Sequence, residues 1–166
     1  MGIYGLIRWM VPMAPEAMHG AVNPGIGLAV IGVVYAAVIA IRQNDLKRMV
    51  AYSSISHVGL IAAGILAWNI EGLQGGMIQM LSHGINVVGL FFIIDIIESR
   101  LKTRDLTQMG GIAKVAPRFA VLFMVIMLGA VAVPLTNGFV GEFLLLNGVF
   151  QYGAITAGIA GLTVIF

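Results

Sequence analysis

The chain has 166 residues, of which 60% are hydrophobic and only 10% are charged. Soluble globular domains contain about 25% charged residues, so this composition excludes an ordinary soluble fold, and the many apolar residues exclude intrinsic disorder. Because cysteine is absent, this chain has no disulfide bonds and no thiolate ligands for metals or iron–sulfur clusters. The net charge of +2 is too small to indicate nucleic-acid binding.

Three apolar runs are long enough to cross a bilayer, which takes about 20 residues, or about 17 at the short end. They are Gly25–Ile41, Val50–Trp68 and Gly75–Ile97. A fourth run, from Phe119 to Phe150, is too long for one ordinary span and contains Pro134. Since proline removes a helix hydrogen bond, we predict a discontinuous helix near Pro134, as transporters have at their ion sites.

The two ends of the chain resemble parts of further spans. Met1–Met10 is apolar with a single arginine, and Tyr152–Phe166 is apolar without a polar flank. We therefore predict an all-α, polytopic membrane helix bundle. In it, residues 1–166 form one partial transmembrane domain with about four full spans and a partial span at each end. The chain is then a fragment of a larger protein, and a small protein with short terminal helices is the alternative.

The basic residues indicate the orientation of the spans. Of the nine lysines and arginines, eight fall in two alternate loops, which topology places on one side of the membrane. The positive-inside rule assigns that side to the cytoplasm. The eight residues are Arg42, Lys47, Arg48, Arg100, Lys102, Arg104, Lys114 and Arg118.

Two histidines lie inside predicted spans, where an ionisable side chain is expensive and needs an explanation. His83 shares a helix face with Gln79 and Asn86, because the three are spaced i, i+4 and i+7. His57 has Ser53 one helical turn before it. Histidine gives and accepts protons near neutral pH, so both are candidates for proton transfer, with Gln79, Asn86 and Ser53 lining a polar axis. The alternative for both histidines is hydrogen bonding that only holds neighbouring helices together.

A carboxylate, Glu142, follows the predicted break within Gly138–Phe143. We expect it in the first turn of the second half-helix, where the helix N-terminus favours the charged form and burial favours the neutral acid. A group held between these two effects can take up and release a proton, so Glu142 is the third candidate for proton transfer. The alternative is a glutamate at a helix start near the membrane surface.

Three further charged residues lie at predicted span boundaries. Asp95 precedes the basic loop by about one turn, which favours a structural role. Asp45 and Lys47 are boundary charges in the same sense, and they are also candidates to line the path by which protons arrive from the cytoplasm. Since the two histidines lie on different spans, neither helix carries a metal-ligand pair. We predict no metal site, no cofactor site and no redox centre in this chain.

Four segments carry a family resemblance over essentially the whole chain. Gln43–Gly59 resembles the proton-conducting antiporter-like membrane subunits of respiratory complex I. Gly76–Gly84, and Thr103–Asp105 together with Met109–Gly111, resemble the next segments of that family in order. Gly138–Phe143 resembles the M type among these subunits.

The resemblance implies an antiporter-like inverted-repeat fold, of which this chain holds a part, with the break near Pro134 as a discontinuous helix. It places His57 and His83 on the hydrophilic axis of the family and Glu142 at the acidic end of the proton channel. The implied function is that of a proton-translocating subunit of NADH:quinone oxidoreductase. NADH, FMN, iron–sulfur clusters and quinone would be used by partner subunits of that translocase.

The implied partners are the L-type and N-type antiporter-like subunits, the lipid bilayer and the transported protons, without nucleic acid. The implied location is the bacterial inner membrane, with an organelle inner membrane as the alternative. Two other functions remain open, because similar chains occur in multisubunit Na+/H+ antiporters and in membrane-bound hydrogenases. The L and N types and many antiporter subunits carry lysine at the position of Glu142, so glutamate favours the M type.

Overall fold

The computed structural model describes residues 2–13 and 15–162, and within these ranges the regular structure is helical and no strand forms. A π-helical turn at Leu6–Met10 and a 3-10 turn at Leu106–Gln108 accompany nine α-helices in the described ranges. The α-helices are α1 (Gly2–Gly5), α2 (Val11–Met13), α3 (Pro15–Ile41), α4 (Leu46–Leu66), α5 (Ile70–Leu101), α6 (Ile112–Val115), α7 (Pro117–Ala130), α8 (Asn137–Tyr152) and α9 (Ala154–Gly161).

Three helices in the described part of the chain are long and apolar enough to cross a membrane. They are α3 from Gly20 onward, α4 and α5. The prediction of an all-α membrane bundle is therefore confirmed. Each helix begins before the apolar run that predicted it, and α4 ends at Leu66, before the end of its run, because hydropathy locates the part of a helix inside the bilayer and not its ends. For example, α3 begins at Pro15 and contains Pro24.

Side-chain caps account for two of these longer starts. The Asp45 carboxylate accepts a hydrogen bond from the Arg48 backbone N–H at 2.9 Å, so α4 begins four residues before Val50. Asn69 caps α5 in the same way, accepting from the Gly72 backbone N–H at 2.8 Å. Each cap satisfies one of the N–H groups that a helix start leaves without an intrahelical partner.

The fourth apolar run is broken, as predicted near Pro134. The α7 helix ends at Ala130 and α8 begins at Asn137, with residues 131–136 forming turns between them. Within this break Ala132 and Leu135 have φ angles of 55° and 76°. Such angles are uncommon for residues other than glycine. The helices before and after the break have 14 and 16 residues, so neither half reaches the length of about 20 residues that spans a bilayer.

The ends of the chain contain short helical segments. Leu6–Met10 forms the π-helical turn after α1, and Gly153 separates α8 from α9. Met1 and residues 163–166, which belong to the predicted terminal spans, lie outside the described residues.

Two hydrophobic clusters form the interior of the bundle. One joins α3, α4 and α8 through residues that include Ile26, Ile61 and Leu145. The other lies where α4 begins and α5 ends, and it includes Val50 and Ile93. Within the described residues, all five buried polar side chains lie on the segments of α4, α5 and α8 between the two clusters. This arrangement creates a polar layer between two apolar ones.

The two basic loops meet at one end of the bundle. The Leu46 backbone N–H donates to the Arg104 carbonyl at 3.0 Å, and the Leu106 N–H donates to the Asn44 carbonyl at 2.9 Å. These bonds form an antiparallel bridge between Asp45 and Asp105. The distribution of basic residues predicted two loops on one side, and the structure brings them together.

Candidate functional site

The polar layer is defined by eight residues on the segments of α4, α5 and α8 between the two apolar clusters. They are Ser54, His57, Gln79, Ser82, His83, Asn86, Asn137 and Glu142. On α5, Gln79, Ser82 and Asn86 are buried and His83 is half-buried. The spacing that predicted a shared face for Gln79, His83 and Asn86 is that of an unbroken helix, and α5 is continuous through all three.

The two histidines meet across the contact between α4 and α5. The centres of the His57 and His83 rings are 5.5 Å apart, with the ring planes tilted by 43°. The Ser54 hydroxyl oxygen lies 2.9 Å from Nε2 of His83, within hydrogen-bond distance. Sequence spacing could not show this contact, because the residues belong to different helices. It places two proton-accepting rings side by side inside the bundle.

The serine that contacts a histidine is not the one that the sequence favoured. The Ser53 hydroxyl donates to the Val50 carbonyl of its own helix at 3.0 Å, whereas its neighbour Ser54 is the residue beside His83. Ser56 is buried and donates to the Val33 carbonyl at 2.9 Å, which joins α4 to α3. No signal in the sequence distinguishes these serines, since each lies only one or two positions from the next.

Glu142 is buried, with only 4% of its surface exposed. It lies in the second turn of α8, because that helix already begins at Asn137, so the expectation of a first-turn position was wrong. Burial shows that the side chain faces the interior of the bundle, and its role in proton transfer stays a prediction. Within the described ranges, neither Oε2 of Glu142 nor Oε1 of Gln79 has a hydrogen-bond partner. A buried carboxylate without a partner is costly unless it is neutral or solvated.

Gly141 lets α8 approach α5 beside Glu142. A Cβ atom built on Gly141 would lie 3.0 Å from the backbone nitrogen and the Cβ of Gln79, and it would also contact Oε1 of Gln79. The absence of a side chain at this position therefore allows the Gln79 carboxamide to lie directly over the α8 backbone. Small residues permit such close contacts between membrane helices. Two neighbouring helices thus carry buried side-chain oxygen atoms, Oε1 of Gln79 and Oε2 of Glu142, that have no hydrogen-bond partner in the described part of the chain.

Asn137, which the sequence did not single out, connects the break to α5. Its side-chain amide exchanges two hydrogen bonds with that of Asn86, at 3.4 Å and 3.2 Å. The Ser82 hydroxyl donates to the Asn137 backbone carbonyl at 2.8 Å. The position of Asn137 three residues after Pro134 was the available signal, because residues at a helix break have backbone groups that need partners.

The charged residues at the span boundaries lie at the loop end of the bundle. Asp45 caps α4, Lys47 is exposed, and Asp95 is exposed on α5. The structure thus gives Asp45 a local structural role, and a role of Asp45 and Lys47 in proton uptake stays a prediction. In the part of the chain that the structure describes, no group of three histidines, cysteines or carboxylates is placed to hold a metal ion.

The arrangement is suited to binding and passing protons. It contains two histidine rings in contact, a buried carboxylate and several amides and hydroxyls between apolar clusters. Known proteins resemble this chain in sequence and in fold. The family described as "NADH:quinone oxidoreductase/Mrp antiporter, TM" matches residues 1–166. The chain belongs to this family.

Individual relatives and a solved structure are also similar to this chain. NADH-quinone oxidoreductase subunit M of Rickettsia prowazekii is 41% identical over 165 residues, which cover 99% of this chain and 34% of that protein. NADH-ubiquinone oxidoreductase chain 4 of Marchantia polymorpha is 37% identical over 165 residues, covering 99% and 33%. The bundle also matches a chain of respiratory complex I from Thermus thermophilus with bound NADH. That match has a TM-score of 0.95 and 32% identity, and it covers 99% of this chain and 35% of that one.

These comparisons confirm the family resemblance and its M-type character. They also confirm that the bundle has the fold of a complex I membrane subunit. The chain spans about a third of the length of the curated relatives it matches.

Proposed function

We propose that this chain is part of a proton-translocating membrane subunit of an NADH:quinone oxidoreductase. In this proposal residues 1–166 form one partial proton-conducting domain. NADH, FMN, iron–sulfur clusters and quinone are used by partner subunits, and redox energy reaches this chain only as changes in proton affinity. Support comes from the family match and from relatives that are named as oxidoreductase subunits.

The observation that carries the proposal is the environment of Glu142. It is a carboxylate, nearly fully buried, next to a helix break, and without a hydrogen-bond partner among the described residues. A purely structural carboxylate in a membrane bundle would be paired, because an unpaired one is expensive. A carboxylate that gains and loses a proton needs the freedom to bind either a proton or water.

The polar layer supplies the neighbours that such a proton needs. His57 and His83 are in ring contact, so one imidazole can receive a proton while the other releases one. Moving one charge against 100 mV takes about 2.3 kcal/mol. Each transfer site must therefore change its proton affinity by about fifty-fold between its loading and releasing states. Asp45 and Lys47, at the loop end, are the proposed residues on the path from the cytoplasm.

The proposed setting follows from the same family. The neighbours would be the L-type and N-type antiporter-like subunits, and the membrane would be the bacterial inner membrane. A second candidate function is a Na+/H+ antiporter subunit, since the description of the matching family also names the Mrp antiporter. The two differ in whether ion movement requires NADH and quinone.

The deciding experiment replaces Glu142 in the full-length protein. Glu142→Gln keeps the shape of the side chain and removes its titration, so proton pumping driven by NADH should fall at least about tenfold per assembled complex. The measurement is acidification of inverted membrane vesicles with a pH-sensitive dye, together with quinone reduction.

The matched control is Glu71→Gln, at the start of α5 and outside the polar layer, which should pump normally. Full pumping by Glu142→Gln would overturn the proposal. Proton exchange for Na+ that needs no NADH would favour the antiporter instead.

A further inference from the structure

The α8 helix lies antiparallel on α5, with contacts that recur along both helices. A Cβ atom on Gly148 would lie 2.8 Å from Cα of Gly72, and one on Gly75 would lie 2.8 Å from the backbone nitrogen of Leu145. Gly141 lies against Gln79 further along. These contacts leave no room for side chains, so they fix how closely the helices approach. Glycine contacts alone resist sliding weakly, and at one end of the series the Asn69 side chain adds a hydrogen bond to the Gly148 carbonyl at 2.7 Å.

The asparagine pair is the last contact in this series and the only one of them with two side-chain hydrogen bonds. Asn86 and Asn137 each donate through Nδ2 to the other's Oδ1. The amide of Asn86 is buried, whereas Asn137 is exposed at the edge of the break. Because each amide both donates and accepts, the pair forms only at one relative placement of the two helices.

Close contacts also fix the conformation of the break around this pair. A Cβ atom on Gly129 would lie 2.7 Å from Oδ1 of Asn137 and 3.0 Å from Oδ1 of Asn86, so the end of α7 packs directly on the pair. A Cβ atom on Gly138 would contact the Gly129 carbonyl. Unusual backbone angles such as that of Ala132 persist only where the surroundings hold them in place. The asparagine pair provides such a hold at the start of α8.

We propose that Asn86 and Asn137 are positioning residues for Glu142. The pair anchors the first turn of α8 to α5, and the Ser82 hydroxyl anchors the carbonyl of the same turn. This anchor sets the register in which Gly141 meets Gln79 and Glu142 is held in the polar layer. This inference rests on the proposed function, because the position of Glu142 affects pumping only if Glu142 transfers protons.

The test compares Asn86→Leu, Asn137→Leu and the double variant in membranes that contain the full-length protein. Leucine keeps the branched shape of the asparagine side chain and removes both hydrogen bonds. If the pair acts as a unit, each single variant should lower NADH-driven pumping about tenfold per assembled complex. The double variant should then be no worse than either single one. Asn147→Leu is the matched control, since Asn147 is exposed on the same helix.

A second measurement reports on the position of Glu142 itself. N,N′-dicyclohexylcarbodiimide modifies buried protonated carboxyl groups, and mass spectrometry of the modified peptide gives the rate at Glu142. The asparagine-to-leucine variants should change that rate several-fold, and Asn147→Leu should not. Asn137→Asp keeps an acceptor for Nδ2 of Asn86, so it should recover part of the pumping and should provide an assembled sample if the leucine variants do not fold.

Two results would overturn the inference. One is additive losses in the double variant, and the other is a rate of Glu142 modification equal to that of the wild type in all asparagine variants. Failure of the proposed function has a different signature. In that case Glu142→Gln pumps normally, while the asparagine variants still change the modification rate and thereby support the positioning role.

Discussion

Carboxylates at the loop end of the bundle and the carboxylate in the polar layer have opposite surroundings. Asp45 accepts a hydrogen bond from the Arg48 N–H, and Asp105 accepts from both the N–H and the hydroxyl of Thr107. Glu98 forms an ion pair with Arg104 at 2.6 Å. All of these partners lie close in sequence. Glu142, in contrast, is buried and has no hydrogen-bond partner within the described residues.

The difference separates two uses of the same functional group. At the loop end, water solvates the carboxylates, and local donors fix them, so they cap helices and connect loops. In the polar layer the cost of burial is much larger, and yet the local donors are missing. Among the described residues, carboxylates at the loop end have capping partners and Glu142 has none. This contrast supports a transfer role for Glu142 and structural roles for the others.

The largest expected effect comes from filling the space that lets α8 lie against α5. Gly141→Leu would force the helices apart beside Gln79, because the Gln79 backbone nitrogen cannot move aside as a flexible side chain could. Overpacking of this kind costs about 1–3 kcal/mol. We expect NADH-driven pumping to fall about tenfold or more. Vesicle acidification per assembled complex is the measurement.

Gly84→Leu is the matched control for that substitution. Gly84 is on the partner helix α5, and a Cβ atom there would meet no atom within 4 Å in the structure. Pumping by the Gly84 variant should therefore remain close to that of the wild type. Equal pumping by both glycine variants would show that the α5–α8 contact does not determine the environment of Glu142.

The next largest loss of pumping is expected from substitutions of the two histidines of the polar layer. His83 lies on the polar face of α5 and contacts Ser54, whereas the contact described for the His57 ring is with His83 itself. We expect His83→Ala to lower pumping about tenfold and His57→Ala to lower it less. Dye-detected acidification at matched assembly decides the order. A larger loss in His57→Ala would reverse the order, and normal pumping in His83→Ala would reduce that residue to a helix contact.

Sequence patterns along one helix predicted much of this architecture. Hydropathy located α3, α4 and α5, and Pro134 located the break. The i, i+4, i+7 spacing identified the face that carries Gln79 and Asn86. These features depend on local geometry, which is regular within a helix. The expectation for Glu142 was wrong because α8 begins at Asn137, directly after Thr136, so five helical residues precede Glu142.

Contacts between helices could not be predicted in the same way. The His57–His83 ring contact, the choice of Ser54 over Ser53, and the pairing of Asn86 with Asn137 all depend on how two helices face each other. Rotating one helix by a single residue changes the partner of every side chain on it. That rotation is set by glycine contacts such as Gly141 against Gln79, whose partners one sequence does not reveal.

The smallest expected effect concerns a loop-end carboxylate, Asp105. Hydrogen bonds from the backbone N–H and then the hydroxyl of Thr107 hold the pKa of Asp105 below its usual value. A carboxylate with a lowered pKa in the folded state stabilises the fold at pH values above its unfolded pKa of about 3.9. That contribution is lost as the pH falls through the folded pKa. Asp105→Asn keeps an oxygen acceptor for Thr107 but removes the charge.

We therefore expect Asp105→Asn to lower the thermal unfolding midpoint of the purified full-length subunit slightly at neutral pH. The difference from the wild type should shrink as the pH falls below about 3.9 and disappear below the folded pKa. Asp95→Asn is the control, because Asp95 is exposed and forms no ion pair among the described residues. Pumping should be unchanged in both variants. A pumping loss in Asp105→Asn at normal stability would contradict the division between structural carboxylates at the loop end and a transferring carboxylate in the polar layer.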